Sequence, residues 1–372
     1  MAGKEIHYYA GGNTARGFRS YLDSTLQYMD RIFILLGAPG NGKSSMMKTL
    51  GRKYNDEGYD VEWIHSALDR DAVEGVIIPA LKVGVVDGSG PHVITAKAPG
   101  AIEHYINFGS AWDTESLAKQ KKRIVQLRGS IEQHLEEARQ CFREALEIHD
   151  EWEKIYITNM DFAKADEITA EWIAACFGEL RLNKQTQILQ RYLGAATPHG
   201  AADFVPNLTA GVAKRYFIKG RAGSGKSTML KRIAAVAQER GFDMEVYHCG
   251  LDPNSLDMLI FRELGIAIFD STTPHEYSPD RENDEIIDIY ARAIEPGTDE
   301  KYAERIQDIS ARYRAKMKQG ATKLGEAKEA QDQLKELYVA AMDFNQVDAI
   351  RAEVESEIDS IARRFAQDSS ES

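Results

Sequence analysis

The amino-acid sequence predicts an α/β protein built from two similar domains, each with a parallel sheet flanked by helices. Three observations support this prediction. The chain is internally repeated, each copy alternates apolar strands with helices, and each copy has a glycine-rich turn between a strand and a helix. A chain of 372 residues is long enough to bury two cores of ordinary size.

The internal repeat covers nearly the whole chain. Shifting the sequence by 183 residues aligns positions 9–93 with positions 192–276 without a gap. The residues of the first copy that recur unchanged include Gly37, Gly40, Gly42, Lys43, Ser44, Gly58, His65, Asp69, Asp87, Pro91 and His92. Further along the chain, Met160-Asp161-Phe162 recurs as Met342-Asp343-Phe344. Such a repeat predicts two copies of one structural unit.

The repeat predicts a domain of residues 1–185, a second of residues 186–366, and a disordered tail over 367–372. The predicted cores cover about 5–110 and 189–295, and each is followed by a long helical hairpin, 114–185 and 297–366. The hairpins are predicted from apolar residues spaced three and four apart, with breaks near Met160 and Met342. The hairpins either pack on their sheets or project as arms that bind a protein partner.

Each core is predicted to begin with an apolar strand, followed by a glycine-rich turn, a helix and two further strands. The predicted strands are 31–36, 60–66 and 83–87 in the first copy and 216–218, 243–249 and 266–270 in the second. The predicted helices are 43–57 and 226–240. Strands that alternate with helices predict a parallel sheet covered on both faces. Two earlier strands, 6–10 and 191–194, are also predicted, but the sequence does not indicate which sheet each of them joins.

The glycine-rich turns, residues 37–44 and 220–227, both match the pattern GxxxxGK[ST] of a phosphate-binding P-loop. Glycines allow successive backbone amides to curve around phosphate groups, and the following helix adds its positive N-terminal end. The predicted nucleotide-binding residues are Gly37, Gly40, Asn41, Gly42, Lys43, Ser44, Ser45, Gly220, Gly223, Ser224, Gly225, Lys226, Ser227 and Thr228. The two lysines are predicted to reach the β- and γ-phosphates.

One aspartate ends the third predicted strand of each copy, at the position where P-loop proteins hold Mg²⁺. Asp87 and Asp270, with the hydroxyls of Ser44 and Ser227, are therefore the predicted Mg²⁺ ligands. The alternative for Asp87 is a turn residue, because Asp-Gly is also a turn signal. Neither aspartate is followed by glutamate, the usual general base of many ATP hydrolases, and we therefore expect slow hydrolysis.

Histidines supply further candidate groups. His92 and His275 follow each aspartate at the same distance, and they could orient water or sense the γ-phosphate. With the two lysines and two aspartates they form the predicted catalytic set: Lys43, Lys226, Asp87, Asp270, His92 and His275. His65 and His248 are each followed four residues later by an aspartate. Each pair either contacts the acceptor or the nucleotide base, or forms a local cap or turn. Thr14 and Thr197, each followed by glycine three residues later, are interpreted as part of a turn that enters a helix or as contacts to the nucleotide base.

Composition limits the classes of partner. The net charge of −12 makes charge-driven binding to nucleic acid unfavourable. No apolar run approaches the roughly 20 residues of a membrane helix. Three widely separated cysteines and the lack of a secretory signal predict a cytoplasmic protein with reduced thiols. A nucleotide is therefore the expected ligand, and no membrane partner is expected.

With these motifs, the chain resembles the tandem P-loop ATPase-like proteins of Gram-positive bacteria, which are mostly described only as ATP-binding. The matching features are the two GxxxxGKS loops, the stretches 87–92 and 270–275, and the stretch 11–14. The resemblance implies the tandem P-loop fold and a bound nucleotide.

The predicted ligands are ATP and Mg²⁺, and three functions are consistent with them. The first is a slow ATPase or nucleotide switch that moves the helical hairpins. The second is a kinase that phosphorylates a small molecule or nucleotide, supported by the pairs His65/Asp69 and His248/Asp252. The third is a non-catalytic scaffold in which nucleotide acts as a structural clamp.

Overall fold

The structure is a computed structural model that describes residues 2–92 and 94–371. It is an α/β protein with two six-stranded sheets. The elements of the first half are β1 (Glu5–Tyr8), β2 (Gly11–Thr14), β3 (Gly17–Ser20), α1 (Leu22–Leu26), β4 (Arg31–Leu36), α2 (Lys43–Asp56), β5 (Val61–His65), β6 (Val73–Ile78), β7 (Val83–Asp87), β8 (Glu103–Asn107), α3 (Thr114–Lys119), α4 (Lys121–Thr158) and α5 (Phe162–Phe177).

The second half repeats this order of elements. They are β9 (Ile188–Tyr192), β10 (Gly194–Thr197), β11 (Gly200–Asp203), α6 (Val205–Leu208), β12 (Lys214–Lys219), α7 (Lys226–Glu239), β13 (Met244–His248), β14 (Leu256–Phe261), β15 (Ile266–Asp270), β16 (Glu285–Asp288), α8 (Ile289–Ala293), α9 (Thr298–Lys301), α10 (Ala303–Val339) and α11 (Phe344–Glu371). Three short 3-10 helices lie at Pro79–Leu81, Phe108–Ala111 and Arg262–Leu264.

The first sheet has the strand order β1-β5-β6-β7-β4-β8. β4 is parallel to both of its neighbours, β7 and β8, whereas β6 is antiparallel to β5 and β7. The α/β class is confirmed, but the prediction of a parallel sheet is wrong, because β6 lies in a segment that we interpreted as a polar link. Two antiparallel steps connect β5 to β7 through short turns, so no helical crossover is needed between them.

The second sheet repeats this arrangement in the order β16-β12-β15-β14-β13-β9. β12 is parallel to β15 and β16, and β14 is the antiparallel strand. The strands that the sequence left unassigned, β1 and β9, pair in parallel with β5 and β13 at one edge of each sheet. Alternate residues of β4 point to opposite faces, and both Phe33 and Ile34 are fully buried, so both faces of the first sheet are covered.

The chain divides into two compact units that do not follow the repeat boundary. Unit 1 contains the chain up to Gly11, Thr25–Glu136, and the chain from Lys323 onward, whereas unit 2 contains Gly12–Ser24 and Glu137–Thr322. The predicted division into 1–185 and 186–366 is therefore corrected. Each unit combines the sheet of one half with the last helix of the other half.

In unit 1 the helix that joins the first sheet is α11. Its residues Val354 and Ile358 lie in one core with Met47 and Leu50 of α2. The Tyr54 hydroxyl donates a 2.8 Å hydrogen bond to Asp359. α11 continues to Glu371, so the predicted tail from 367 is helical through that residue, and Ser372 lies outside the described residues.

In unit 2 the corresponding helix is α5. Ile168 and Trp172 lie in one core with Leu230 and Ile233 of α7. A sequence repeat identifies equivalent segments but not the segments that pack together. Because both sheets present the same kind of apolar face, α5 and α11 can each pack on the sheet of the other half while the pattern of apolar residues stays the same.

The long helices α4 and α10 pack against each other within each unit. In unit 1, Leu127 contacts the cluster of Leu334 and Tyr338. In unit 2, Arg312 pairs with Glu151 at 2.8 Å, and Ile155 lies in a cluster with Ile309. The predicted breaks near Met160 and Met342 are confirmed. The predicted pairing of the two helices within each hairpin is wrong, because α4 pairs with α10 while α5 packs against α7.

None of the helices in the described part of the chain is long and apolar enough to cross a membrane.

Candidate functional site

The two glycine-rich loops, loop 1 (residues 37–44) and loop 2 (residues 220–227), connect β4 to α2 and β12 to α7. Gly40 and Gly42 have φ angles of 85° and 89°, and Gly223 and Gly225 have φ angles of 73° and 85°. Only glycine adopts this left-handed conformation without strain. Four of the six loop glycines that the sequence singled out are therefore required by their backbone conformation.

The helices that follow the loops begin without a side-chain cap. Gly42 and Gly225 are the N-cap residues of α2 and α7, and neither has a side chain to accept the first amides. By contrast, α5 and α8 are capped by the side chains of Asp161 and Asp288. The first-turn amides and positive ends of α2 and α7 thus have no side-chain acceptor, which suits them to an anionic group.

A lysine lies between the loop and an aspartate in both units. The Lys43 ammonium donates to the Ala38 carbonyl at 2.8 Å and lies 3.6 Å from Asp87 Oδ2. Lys226 donates to the Arg221 carbonyl at 2.8 Å and lies 3.5 Å from Asp270 Oδ2. The structure therefore brings together the lysine and aspartate that the sequence assigned to one site.

Burial sets the electrostatics of this pair in unit 1. Desolvation lowers the pKa of Lys43, and the charge of Asp87 opposes this shift. Desolvation likewise raises the pKa of Asp87, against the opposing charge of Lys43 and a hydrogen bond from Ser89. Neither charge is fully hydrated. In such a poorly hydrated environment the charge of a bound cation or phosphate has its largest effect.

Asp87 belongs both to a turn and to the site. Its Oδ1 accepts a 2.8 Å hydrogen bond from the Ser89 amide, while its Oδ2 faces Lys43. In unit 2, Asp270 Oδ1 accepts from the Thr272 hydroxyl at 2.6 Å. The two interpretations of Asp87 that the sequence left open are compatible, because each uses a different oxygen.

The serines at the start of the helices are held by the antiparallel strands. Ser44 Oγ accepts a 3.1 Å hydrogen bond from the Val73 amide of β6. Ser227 Oγ accepts a 3.0 Å hydrogen bond from the Leu256 amide of β14. These contacts orient the two hydroxyls and connect each loop to a strand that sequence analysis missed.

The remaining loop residues have different environments. The Asn41 side chain accepts a hydrogen bond from the Ala38 amide, and Ser224 Oγ accepts one from the Arg221 amide at 3.2 Å, so both side chains brace their loops internally. The neighbours Ser45 and Thr228 are exposed in the first helical turn. The sequence assigned both residues to nucleotide binding, and in the structure their side chains are occupied by these hydrogen bonds within the loops.

The two loop-associated histidines have carboxylate partners. His92 is 3% exposed, and its Nε2 lies 2.8 Å from Glu74 Oε2. His275 Nδ1 lies 2.8 Å from Asp203 Oδ2. Burial lowers the pKa of both histidines, but the carboxylates outweigh it and the net pKa of each is raised. Sequence analysis did not single out Glu74 or Asp203.

The contacts described for the other predicted pairs are to different residues. His65 Nε2 lies 2.9 Å from His7 Nδ1, and Asp69 accepts from the Asp71 amide, as in a local turn. His248 bonds the Pro253 carbonyl and Gln190, and Asp252 pairs with Arg16.

Thr14 and Thr197 also have local partners. Their hydroxyls donate to the carbonyls of Gly17 and Gly200 at 2.8 Å and 2.7 Å. These bonds close the turns between β2 and β3 and between β10 and β11, so both threonines lie in turns that join two strands and not in turns that enter a helix.

Each loop also contacts the end of a long helix within its own unit. A Cβ atom built on Gly40 would lie 2.7 Å from the Lys335 carbonyl oxygen, and Asn41 Nδ2 lies 2.9 Å from Met342 Sδ. A Cβ atom built on Gly223 would meet the backbone of Glu153, and one on Gly225 would lie 2.8 Å from Met160 Cε. The loops therefore touch the two helix breaks that recur in the sequence.

Comparison with known proteins identified no relative: no family model, no curated protein and no solved structure matches this chain.

Proposed function

We propose that loops 1 and 2 are P-loops and that each binds ATP with Mg²⁺. The observation that carries this proposal is the repeated arrangement of an uncapped helix start, positive-φ glycines and a buried lysine beside an aspartate. Backbone amides and the lysine supply the positive partners that triphosphate oxygens need. The same set of groups occurs in both units.

The residues beside each loop also fit Mg²⁺, which prefers hard oxygen ligands. Ser44 and Asp87 in unit 1, and Ser227 and Asp270 in unit 2, would hold the ion. Each hydroxyl is oriented by a strand amide, and each carboxylate lies within 4 Å of the loop lysine. When bound, Mg²⁺ would neutralise charge on the phosphate oxygens.

The proposed reaction is slow hydrolysis of ATP, in which nucleotide state alters the helix ends that touch each loop. Loop 1 contacts Lys335 and Met342, and loop 2 contacts Glu153 and Met160. A phosphate that reshapes either loop must therefore shift these contacts or strain them. This coupling supports a nucleotide switch acting on the helices over a static clamp.

A kinase is the weaker candidate. Its support in the sequence was the pairing of His65 with Asp69 and of His248 with Asp252, and these residues have other partners. Kinase activity is therefore treated as the alternative result of the assay described below.

A turnover assay with γ-labelled ATP and Mg²⁺ tests the proposal. We expect free phosphate to be released at less than about 1 s⁻¹, below the lower edge of usual enzyme turnover. GTP in the same assay tests the choice of base. Transfer of label to a metabolite in cell extract would identify a kinase, and failure of the protein to bind any triphosphate would contradict the proposal.

A further inference from the structure

The antiparallel strands β6 and β14 bring a second carboxylate to each site. In the first sheet the register of β6 with β7 ends at Gly75 opposite Val86, so Glu74 and Asp87 are the next residues of the two strands. Glu74 is also the extra residue of a bulge in the pairing of β6 with β5. In the second sheet the register of β14 with β15 ends at Met258 opposite Phe269, so Asp257 and Asp270 are the next residues of the two strands. Asp257 is likewise the extra residue of a bulge in the pairing of β14 with β13. A bulge re-aims the side chain of its extra residue, and the two sheets have this bulge at the same place, beside the strand-end aspartate.

That face is the one covered by the loop and its helix. Val83 and Val85 of β7, and Val76 and Ile78 of β6, pack in the core with α2. Asp87 alternates in step with Val83 and Val85 and so points to this side, and on β6 Val73, the residue before Glu74, belongs to the same core as Val76. In unit 2 the same argument applies through Ile268 and Leu259, which lie in the core with α7. Glu74 and Asp257 therefore lie among residues that face the side of the sheet from which the loops arise, and they are close enough to Asp87 and Asp270 for the charges to interact.

The position is fixed more closely by the serines. The amide that holds Ser44 Oγ belongs to Val73, the residue directly before Glu74. The amide that holds Ser227 Oγ belongs to Leu256, directly before Asp257. Both carboxylates thus lie next to the proposed Mg²⁺ side of the phosphate site. The side chain of Glu74 is 19% exposed, so water reaches it.

Histidine supports both carboxylates, although by different contacts. His92 Nε2 lies 2.8 Å from Glu74 Oε2 and holds it directly. In unit 2 His275 bonds Asp203, and its charge also acts on Asp257. Both sites therefore have a carboxylate, Glu74 or Asp257, with a histidine nearby. The sequence around these two residues does not indicate this similarity.

We infer that Glu74 and Asp257 are the catalytic carboxylates that orient and deprotonate the attacking water. This inference rests on the proposed function. The water oxygen forms a bond to the γ-phosphorus, and the bond from that phosphorus to the β,γ-bridging oxygen breaks. The bridging oxygen keeps the electron pair and leaves with ADP, and the water proton passes to the carboxylate. These two residues supply the base that is missing directly after Asp87 and Asp270. His92 and His275 are positioning residues.

The double variant Glu74→Gln/Asp257→Asn tests this inference, because it removes both bases while keeping side-chain size. We expect single-turnover hydrolysis to fall by about 10²-fold or more, within the range for general acid–base groups. ATP binding measured by calorimetry should be kept. The matched control is Glu62→Gln, a carboxylate of β5 on the opposite face of the sheet that accepts a hydrogen bond from Tyr8. It should hydrolyse ATP as the wild type does.

The outcomes separate this inference from the proposed function. If the double variant binds ATP and hydrolyses it within about threefold of the wild-type rate, Glu74 and Asp257 are not the bases. A wild type that binds ATP but never hydrolyses it would also overturn the inference, while ATP binding stands. A wild type that binds no triphosphate would overturn the proposed function itself. If the double variant fails to fold, Glu74→Asp in its place should fold and lower the rate less.

The positioning role of the histidines has its own readout. The variant His92→Asn/His275→Asn should lower kcat while the KM for ATP stays within about threefold, since the phosphate contacts are untouched. An unchanged kcat would exclude that role.

Discussion

At the residue scale, the paired side chains beside each loop decide what the site can bind. Lys43 lies between a loop carbonyl and Asp87, and Lys226 has the same two kinds of partner. A buried lysine held only 3.5–3.6 Å from a carboxylate has capacity left for a second anion. The carboxylate in turn has an oxygen available to a cation. Triphosphate and Mg²⁺ together would satisfy both groups.

The aspartates should therefore control Mg²⁺ more than nucleotide. We expect Asp87→Asn and Asp270→Asn to keep most of the ATP affinity in EDTA but to lose the Mg²⁺-dependent increase, since a hard cation needs the carboxylate charge. The measurement is calorimetry with and without Mg²⁺. Asp60→Asn is the control, because Asp60 precedes β5 and accepts from the Lys4 amide. A Mg²⁺ increment that survives in both site variants would contradict the assignment.

Asp257 should make stability depend on pH. The pKa of Asp257 is raised from 3.8 to about 6, because burial and the charge of Asp270 together outweigh the opposing effects of His275, Cys249 and Lys226. The folded-state pKa lies above the unfolded one, so ionisation of Asp257 costs stability above about pH 6 and costs nothing below about pH 4. The penalty amounts to about 3 kcal/mol.

Asp257→Asn removes this penalty. In EDTA and without nucleotide, we expect the variant to be more stable than the wild type at pH 7.5, with the difference shrinking as the pH falls towards 4. Urea unfolding at several pH values measures it. A difference that is the same at pH 4 and pH 7.5 would show that Asp257 does not titrate in this range.

At the element scale, the exchanged helices define which loop each helix stabilises. Ile358 of α11 is fully buried in the core of unit 1, and Ile168 of α5 is buried in the core of unit 2. Truncating a buried isoleucine to alanine costs about 2–5 kcal/mol, because it removes apolar contacts and leaves a cavity.

Ile358→Ala should therefore increase amide hydrogen exchange in α2, and Ile168→Ala should increase it in α7. Hydrogen-exchange mass spectrometry distinguishes the two, and each variant serves as the control for the other. The opposite pattern, in which Ile358→Ala loosens α7, would mean that each hairpin packs on its own half, as the repeat alone suggests.

Prediction from sequence succeeded where the signal was local. β4, α2 and β7 begin and end within about a residue of the predicted bounds, since apolar runs, a glycine motif and a helix stop mark them. β6 was missed because its short apolar run, interrupted by Gly75, follows a polar stretch. Glu74 was missed with it, as its role depends on a strand pairing. The exchange of α5 and α11 leaves no local trace, because either helix has the apolar stripe that either sheet requires.

At the scale of the whole molecule, the central claim is that both copies of the repeat keep a working phosphate site. Each unit has its own loop, lysine, serine and aspartate, and the corresponding hydrogen bonds differ by at most about 0.1 Å between the units. Nothing in this geometry favours one loop over the other as a relic. The protein should therefore bind two equivalents of ATP.

Calorimetry with ATP and Mg²⁺ on the wild type, Lys43→Ala and Lys226→Ala tests this claim most directly. We predict two bound equivalents for the wild type and one for each variant, since each substitution deletes a charge-assisted phosphate contact. Lys48→Ala is the control, because that lysine of α2 bonds the Asp71 carbonyl, and it should bind two. A single wild-type equivalent that only one of the two substitutions abolishes would contradict the claim, as would no binding at all.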